Sequence, residues 1–155
     1  MNRNSPHLLF VFLTSLLFFI AAPAYAQVRI TEVMYDVPGT DTGREWLEVH
    51  NESGEAVDLS TWKFFEAESN HSLVPLGNSM LPAGGYAVIV HTQEKFQADW
   101  PSYSGLLFDS VFSLLNTGET LALKDPDGNL VGSFSYSSAT HRRCLGECCS
   151  YTRNW

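Results

Sequence analysis

From Gln27 to Tyr136 the chain is a succession of short stretches rich in β-branched and aromatic residues, each closed by turn residues, with no long window of helical periodicity. This limits the fold severely, because a strand satisfies its backbone only by pairing and buries its apolar side chains only against a second layer. The predicted strands are Val28 to Tyr35, Glu45 to Asn51, Trp62 to Phe65, His71 to Val74, Tyr86 to His91, Leu106 to Phe108, Thr120 to Lys124 and Leu130 to Tyr136. In the second, Leu47 and Val49 alternate with Glu48 and His50, as one buried and one wet face require, so only one side of that sheet is expected to meet the core. Roughly seven to nine strands at this spacing indicate an all-β domain of two sheets packed face to face, with a small barrel as the alternative.

The turns carry their own signals. Asp125-Pro126-Asp127-Gly128-Asn129 fixes φ at Pro126 and offers Gly128 for a left-handed residue, folding the last two strong strands into a hairpin. Asn116-Thr117-Gly118 and Asn51-Glu52-Ser53-Gly54 are similar, and Pro82-Ala83-Gly84-Gly85 delivers the chain into Tyr86 to Val90 at a tight corner. Residues 93–100 are expected to form a short helical turn that Pro101 ends.

At the N-terminus, Arg3 precedes an apolar run from Leu8 to Ile20, followed by Ala21-Ala22-Pro23-Ala24-Tyr25-Ala26. The run is short for a membrane span, and small residues at 24 and 26 suit a signal peptidase. Residues 1–26 are therefore expected to be a signal-peptide helix, with Gln27 starting the mature chain and no membrane span after cleavage. The expected location is secreted, periplasmic or cell-surface. What remains is the size of one domain, assigned to residues 27–138. Between Gln27 and Ser138 sixteen acidic side chains face five basic ones, Arg29, Arg44, Lys63, Lys95 and Lys124. Such a surface repels nucleic acid and anionic lipid, and suits divalent cations or basic partners. Cys144, Cys148 and Cys149 all lie in the tail, so the domain body must be stable without a disulfide.

Several segments, taken together and in order, resemble the lamin tail domain, in particular its bacterial exported members. They are Val28-Arg29-Ile30-Thr31-Glu32-Val33-Met34-Tyr35, Gly43-Arg44-Glu45-Trp46-Leu47-Glu48-Val49-His50-Asn51 and Val57-Asp58-Leu59-Ser60-Thr61-Trp62. Two later ones are Leu81-Pro82-Ala83-Gly84-Gly85-Tyr86-Ala87-Val88-Ile89-Val90 and Leu114-Leu115-Asn116-Thr117-Gly118-Glu119-Thr120-Leu121-Ala122-Leu123. The resemblance implies an immunoglobulin-like two-sheet β-sandwich without the immunoglobulin disulfide, with Trp62 plugging its core; Leu47 and Val49, by their alternation, and Val88 and Leu121 are expected in that core too. It also implies a non-catalytic interaction or structural module that binds a protein partner through loops or a sheet edge. Residues 139–155 depart from the family's pattern. This basic, cysteine-containing tail is read as out of frame or disordered, and where the family would place a closing segment.

Three constellations invite a functional reading. Glu32, Asp36, Asp41, Glu45 and Glu48 would gather carboxylates near one sheet edge if the first two strands pair, which suits calcium as the one cofactor to consider. The bland reading is a solvated acidic face. Asp125, Asp127 and Asn129 have calcium-loop spacing but lack the later glutamate of an EF-hand, and a hairpin turn explains them. Glu45 and Glu48 have the residue types for acid and base in glycoside cleavage, although that needs a long cleft and a set carboxyl separation. Signature motifs of hydrolases, zinc helices and phosphate loops are lacking, so the chain is expected not to be an enzyme. His50, His71 and His91 each stand alone beside a strand. Finally Trp46, Tyr35, Phe65, Trp100 and Tyr103 cannot share one core by alternation. Trp46, opposite Leu47 and Val49, is expected at the surface as an anchor for a partner or a sugar ring, with Trp100 and Tyr35 beside it. Packing of these rings against a loop is the competing expectation. The alternative function is a carbohydrate- or cell-envelope-binding accessory domain, with Trp46 and Trp100 stacking on sugars.

Overall fold

The computed structural model describes residues 28–37, 39–138 and 143–144. The strands in chain order are β1 (Val28–Met34), β2 (Trp46–Asn51), β3 (Val57–Asp58), β4 (Lys63–Glu66), β5 (Ser69–Ser72) and β6 (Val74–Pro75). They continue with β7 (Met80–Leu81), β8 (Tyr86–Val90), β9 (Leu106–Asp109), β10 (Thr120–Lys124), β11 (Leu130–Ser135) and β12 (Arg143–Cys144), with one helix, α1 (Gln93–Asp99), between β8 and β9. A six-stranded sheet in the order β12-β1-β2-β8-β9-β6 faces a four-stranded sheet in the order β11-β10-β4-β5, and β3 and β7 form a small ribbon beside them. The sheets are separate, which makes the domain a sandwich and removes the barrel alternative.

Alternation explains the main core. Leu47 and Val49 of β2 and Ala87 and Ile89 of β8 point inward against Phe64, Leu121, Leu123 and Phe134 of the opposite sheet. Trp62 fills the same core, as the resemblance implied, and Leu121 lies with it. In β1 the buried residues Ile30 and Val33 are three apart, which a regular strand places on opposite faces. The register against β2 shifts between Ile30 and Glu32, and this bulge returns Val33 and then Tyr35 to the core.

The outer face of β2 is not wet. β8 and β9 run parallel, so the chain needs a crossover, and α1 with the segment after it lies over the outside of the large sheet. Beneath it is a second apolar cluster of Trp46, Val88, Val90, Phe96 and Leu107, flanked by Met34, Trp100 and Tyr103. Trp46 is only 2 % exposed, with Phe96 at 6.1 Å and Trp100 at 5.9 Å in edge-on ring contacts. The surface-anchor expectation for Trp46 is thereby corrected: alternation placed its ring on the outer face correctly, but that face is covered. Tyr35 is likewise buried, stacked on Tyr136 with ring centroids 4.4 Å apart, and Val88 serves this outer cluster instead of the main core. Of the aromatics that would not fit one core, Tyr35 joins the main core and Trp46, Trp100 and Tyr103 the outer cluster, while Phe65 belongs to neither.

Three further differences concern short elements. The expected strand from His71 to Val74 is split, with buried Leu73 at the point where the chain leaves the small sheet for the large one. β3 and β7 pair over two residues each, too short for any periodicity to register. The β4–β5 hairpin turns through Ala67 and Glu68 at φ of 46° and 61°, left-handed values at two non-glycine residues. The 125–129 hairpin forms as expected: the Asp125 carboxylate accepts the Asn129 amide at 2.8 Å and its side-chain N–H at 2.9 Å. The short helix also forms and ends before Pro101. Residues 143–144 add to the free side of β1, with Cys144 opposite Glu32. The signal-peptide expectation, Cys148, Cys149 and the rest of the tail fall outside the described residues.

Candidate binding site

At one end of the sandwich the β1–β2 loop, the residue after β8 and the segment before β10 enclose a pocket of about 360 Å³. Its lining is Asp41, Thr42, Gly43, Glu45, His91, Ser113, Leu114, Leu115 and Asn116. Both walls are held by specific bonds. On one side, Arg44 forms a two-pronged ion pair with Asp99 of α1, Nε–Oδ2 at 2.7 Å and Nη2–Oδ1 at 2.8 Å, and Lys95 donates to the Thr42 carbonyl at 2.8 Å. Gly43 has φ +73°, and a Cβ there would lie 2.9 Å from Thr92 Oγ1, so the loop's close approach to the helix requires glycine.

The other wall hangs on three carboxylates. The successive amides of Ser113, Leu114 and Leu115 donate to Glu66 Oε1 at 3.4 Å, Glu45 Oε1 at 3.2 Å and Glu119 Oε1 at 2.7 Å. Glu119 also accepts the Tyr136 hydroxyl at 2.9 Å, and that hydroxyl lies 3.0 Å from the Leu115 carbonyl. Burial pushes the Tyr136 phenol well above its ordinary range, with the Glu119 hydrogen bond acting in the same direction. A segment without regular structure thus has its amides satisfied by side chains from the core edge.

Glu45 is the chemically distinctive group. It is 6 % exposed, and burial pushes its carboxyl up to about 7, opposed by the Leu114 amide and reinforced by the charges of Asp41, Glu119 and Glu66. Its neighbour His91 is held below its usual value, chiefly by burial. His91 Nδ1 lies 2.6 Å from the Phe112 carbonyl oxygen, which only accepts, so that nitrogen carries the proton. The pocket therefore presents a buried carboxyl poised near neutrality, a neutral imidazole, Asp41 tied to Asn116 Nδ2 at 3.0 Å, and apolar surface from Leu114 and Leu115.

The five acidic residues singled out in the sequence do not form one group. Glu32 stands directly opposite Glu48 on the covered outer face, where Glu48 accepts the Thr31 hydroxyl at 2.7 Å. Glu45 faces inward, Asp41 rims the pocket, and Asp36 follows β1 in the loop. Among the described residues no three His, Cys, Asp or Glu side chains gather in a group fit to hold a metal ion. Period-two geometry is the reason: residues 45 and 48 point to opposite faces, which also separates them as an acid and base pair. The histidines are dispersed too. His50 stacks on Tyr86, His71 Nε2 lies 3.3 Å from Glu66 Oε1, and His91 joins the pocket. Trp100 is half-buried against Trp46, and Phe65 lies under Lys124 Nζ at 3.6 Å from its ring centre. Sequence reasoning missed Glu66, Glu119, His91 and the 113–116 segment as one assembly, because its members come from four separate parts of the chain.

The two facing sheets and the tryptophan packed between them are those of an immunoglobulin-like β-sandwich, to which this chain adds a parallel strand through a helical crossover. The Lamin Tail Domain family model matches residues 21–138, and the chain belongs to that family. No curated protein and no solved structure matches the chain. The family is a non-enzymatic, immunoglobulin-like domain of the interaction or structural kind. Among the described residues no helix is long and apolar enough to cross a membrane.

Proposed function

We propose that the protein is an exported, non-catalytic interaction module that docks a protein partner on the end of the sandwich carrying the Glu45 pocket. The observation that carries this reading is the braced concavity itself, whose flanking segment leaves Val111 76 % and Leu115 54 % exposed beside it. Exposed apolar side chains at the rim of a polar-floored pocket are the arrangement of a protein-binding surface. Export is supported by the charge, apolar run and small residues of the first 26 positions. The sugar-stacking alternative loses its main anchor, since Trp46 has no free ring face. The test has two parts. Mass analysis of the mature protein should give Gln27 as its first residue. A Val111→Asp, Leu115→Asp variant should keep its thermal unfolding yet lose a partner that the wild type and an Asp127→Asn control both retain. Equal retention by all three, or retention only on cell-wall polysaccharide, would overturn the reading.

A further inference from the structure

Among the described residues no cation pairs with the Glu45 carboxyl. Its Oε1 accepts the Leu114 amide, and among the described residues Oε2 makes no hydrogen bond, although the residue is only 6 % exposed and lines the pocket. The basic side chains of residues 28–138 are all committed elsewhere. Arg29 pairs with Glu52 and Arg44 with Asp99, while Lys63 donates to Ser72, Lys95 to the Thr42 carbonyl and Lys124 to Asn70. A buried carboxyl opening on a cavity and lacking a counter-charge either keeps its proton or, once ionised, is matched by a cation brought from outside.

We propose that this pocket receives one basic side chain of the partner polypeptide, its ammonium or guanidinium group meeting Glu45 Oε2 and Asp41 and its methylene stem lying along Leu114 and Leu115. The proposal rests on the protein-docking reading and names the chemistry that site selects. A long basic side chain suits it because the stem is apolar and the charge terminal, as the lining demands. The domain's excess of sixteen acidic over five basic side chains draws such a partner in at long range.

The groups facing Glu45 set the pH dependence. They are Asp41 from the β1–β2 loop, Glu66 from β4 with His71 beside it, and Glu119 before β10 with Tyr136 donating to it. On the remaining side are His91 with its proton committed to Phe112, and Lys95 held on Thr42. A cation binds the ionised form of Glu45, so affinity should rise as pH increases through neutrality.

The test is an amide NMR titration of the full chain with N-acetyl-lysine methylamide, and with its norleucine counterpart as the uncharged control. At about pH 8 the lysine compound should shift the Leu114, Leu115 and Asn116 amides to saturation, with a dissociation constant on the order of millimolar, as its size permits. The norleucine compound should not. At about pH 5.5 binding should weaken roughly tenfold or more. Glu45→Gln should weaken binding at pH 8 by a similar factor and flatten its pH dependence, while Glu55→Gln leaves both unchanged. Equal binding of the norleucine compound, no saturable shift at pH 8, or unaltered affinity in Glu45→Gln would overturn the proposal. If the amine fails while the rim variants still lose the partner, the basic-side-chain assignment falls and the docking reading stands. If the amine binds while the rim variants retain the partner, the docking reading falls instead.

Discussion

Replacing Glu45 by glutamine should make the protein more stable at alkaline pH. The glutamine carbonyl keeps an acceptor for the Leu114 amide, so the variant loses the charge and keeps the bond. Folding raises this carboxyl from 4.5 to about 7. The folded protein therefore holds a proton that the unfolded chain releases, and stability contributed by the protonated form is lost as pH rises from 4.5 through 7. Each pH unit between those values corresponds to about 1.4 kcal/mol, so ionisation costs the fold on the order of 3 kcal/mol by pH 8. Urea unfolding followed by tryptophan fluorescence at several pH values measures the effect. Glu45→Gln should exceed the wild type by about 3 kcal/mol near pH 8, equivalent to a melting temperature on the order of 10 °C higher, and by almost nothing near pH 4.5. His91, held below its usual value, imposes the opposite trend, because its contribution is lost as pH falls below 6.5; the difference between wild type and variant cancels it. A difference that does not change between pH 5 and pH 8, or a variant less stable than the wild type at pH 8, would refute the reasoning.

Other substitutions test the packing. Trp46→Ala should destabilise the domain by about 3–5 kcal/mol in denaturant unfolding, whereas a surface sugar anchor would cost almost nothing. Gly118→Ala should cost at least about 1–3 kcal/mol, since φ is +102° and the new Cβ would run into the Tyr136 carbonyl oxygen; an unchanged melting curve would contradict that geometry. Ala67→Asn combined with Glu68→Gly should stabilise the β4–β5 hairpin by about 1 kcal/mol by relieving two left-handed residues, and a loss of stability in thermal unfolding would contradict strain at this turn.

Much of the sandwich was legible because alternation and turn chemistry are local. Leu47 and Val49 declared the inner face of β2, and the Pro126–Gly128 turn declared the last hairpin. What alternation does not report is whether an outer face is wet. Trp46 read as exposed because its cover, Phe96 and Trp100, lies some fifty residues downstream and reaches it only through the parallel crossover. The bulge in β1 was equally hidden, since Ile30 and Val33 fit a strand only once a partner fixes the register. The pocket is a still more distant product. Glu45 stood out as an acid, but its role depends on the amide of Leu114, whose position is set by Glu66, Glu119 and Tyr136 together. Acidity in sequence suggested a metal; topology sets Glu32 and Glu48 on one face, Glu45 on the other, and Asp36 and Asp41 in the loop between the strands.

The docking claim is tested most directly by placing a photo-crosslinking residue at position 115, beside the pocket, and in a second sample at position 127, in the hairpin at the opposite end of the sandwich. A crosslinked protein adduct is expected from position 115, diminished by excess lysine peptide, and none from position 127. Equal adducts from both positions, or an adduct from position 127 alone, would contradict it.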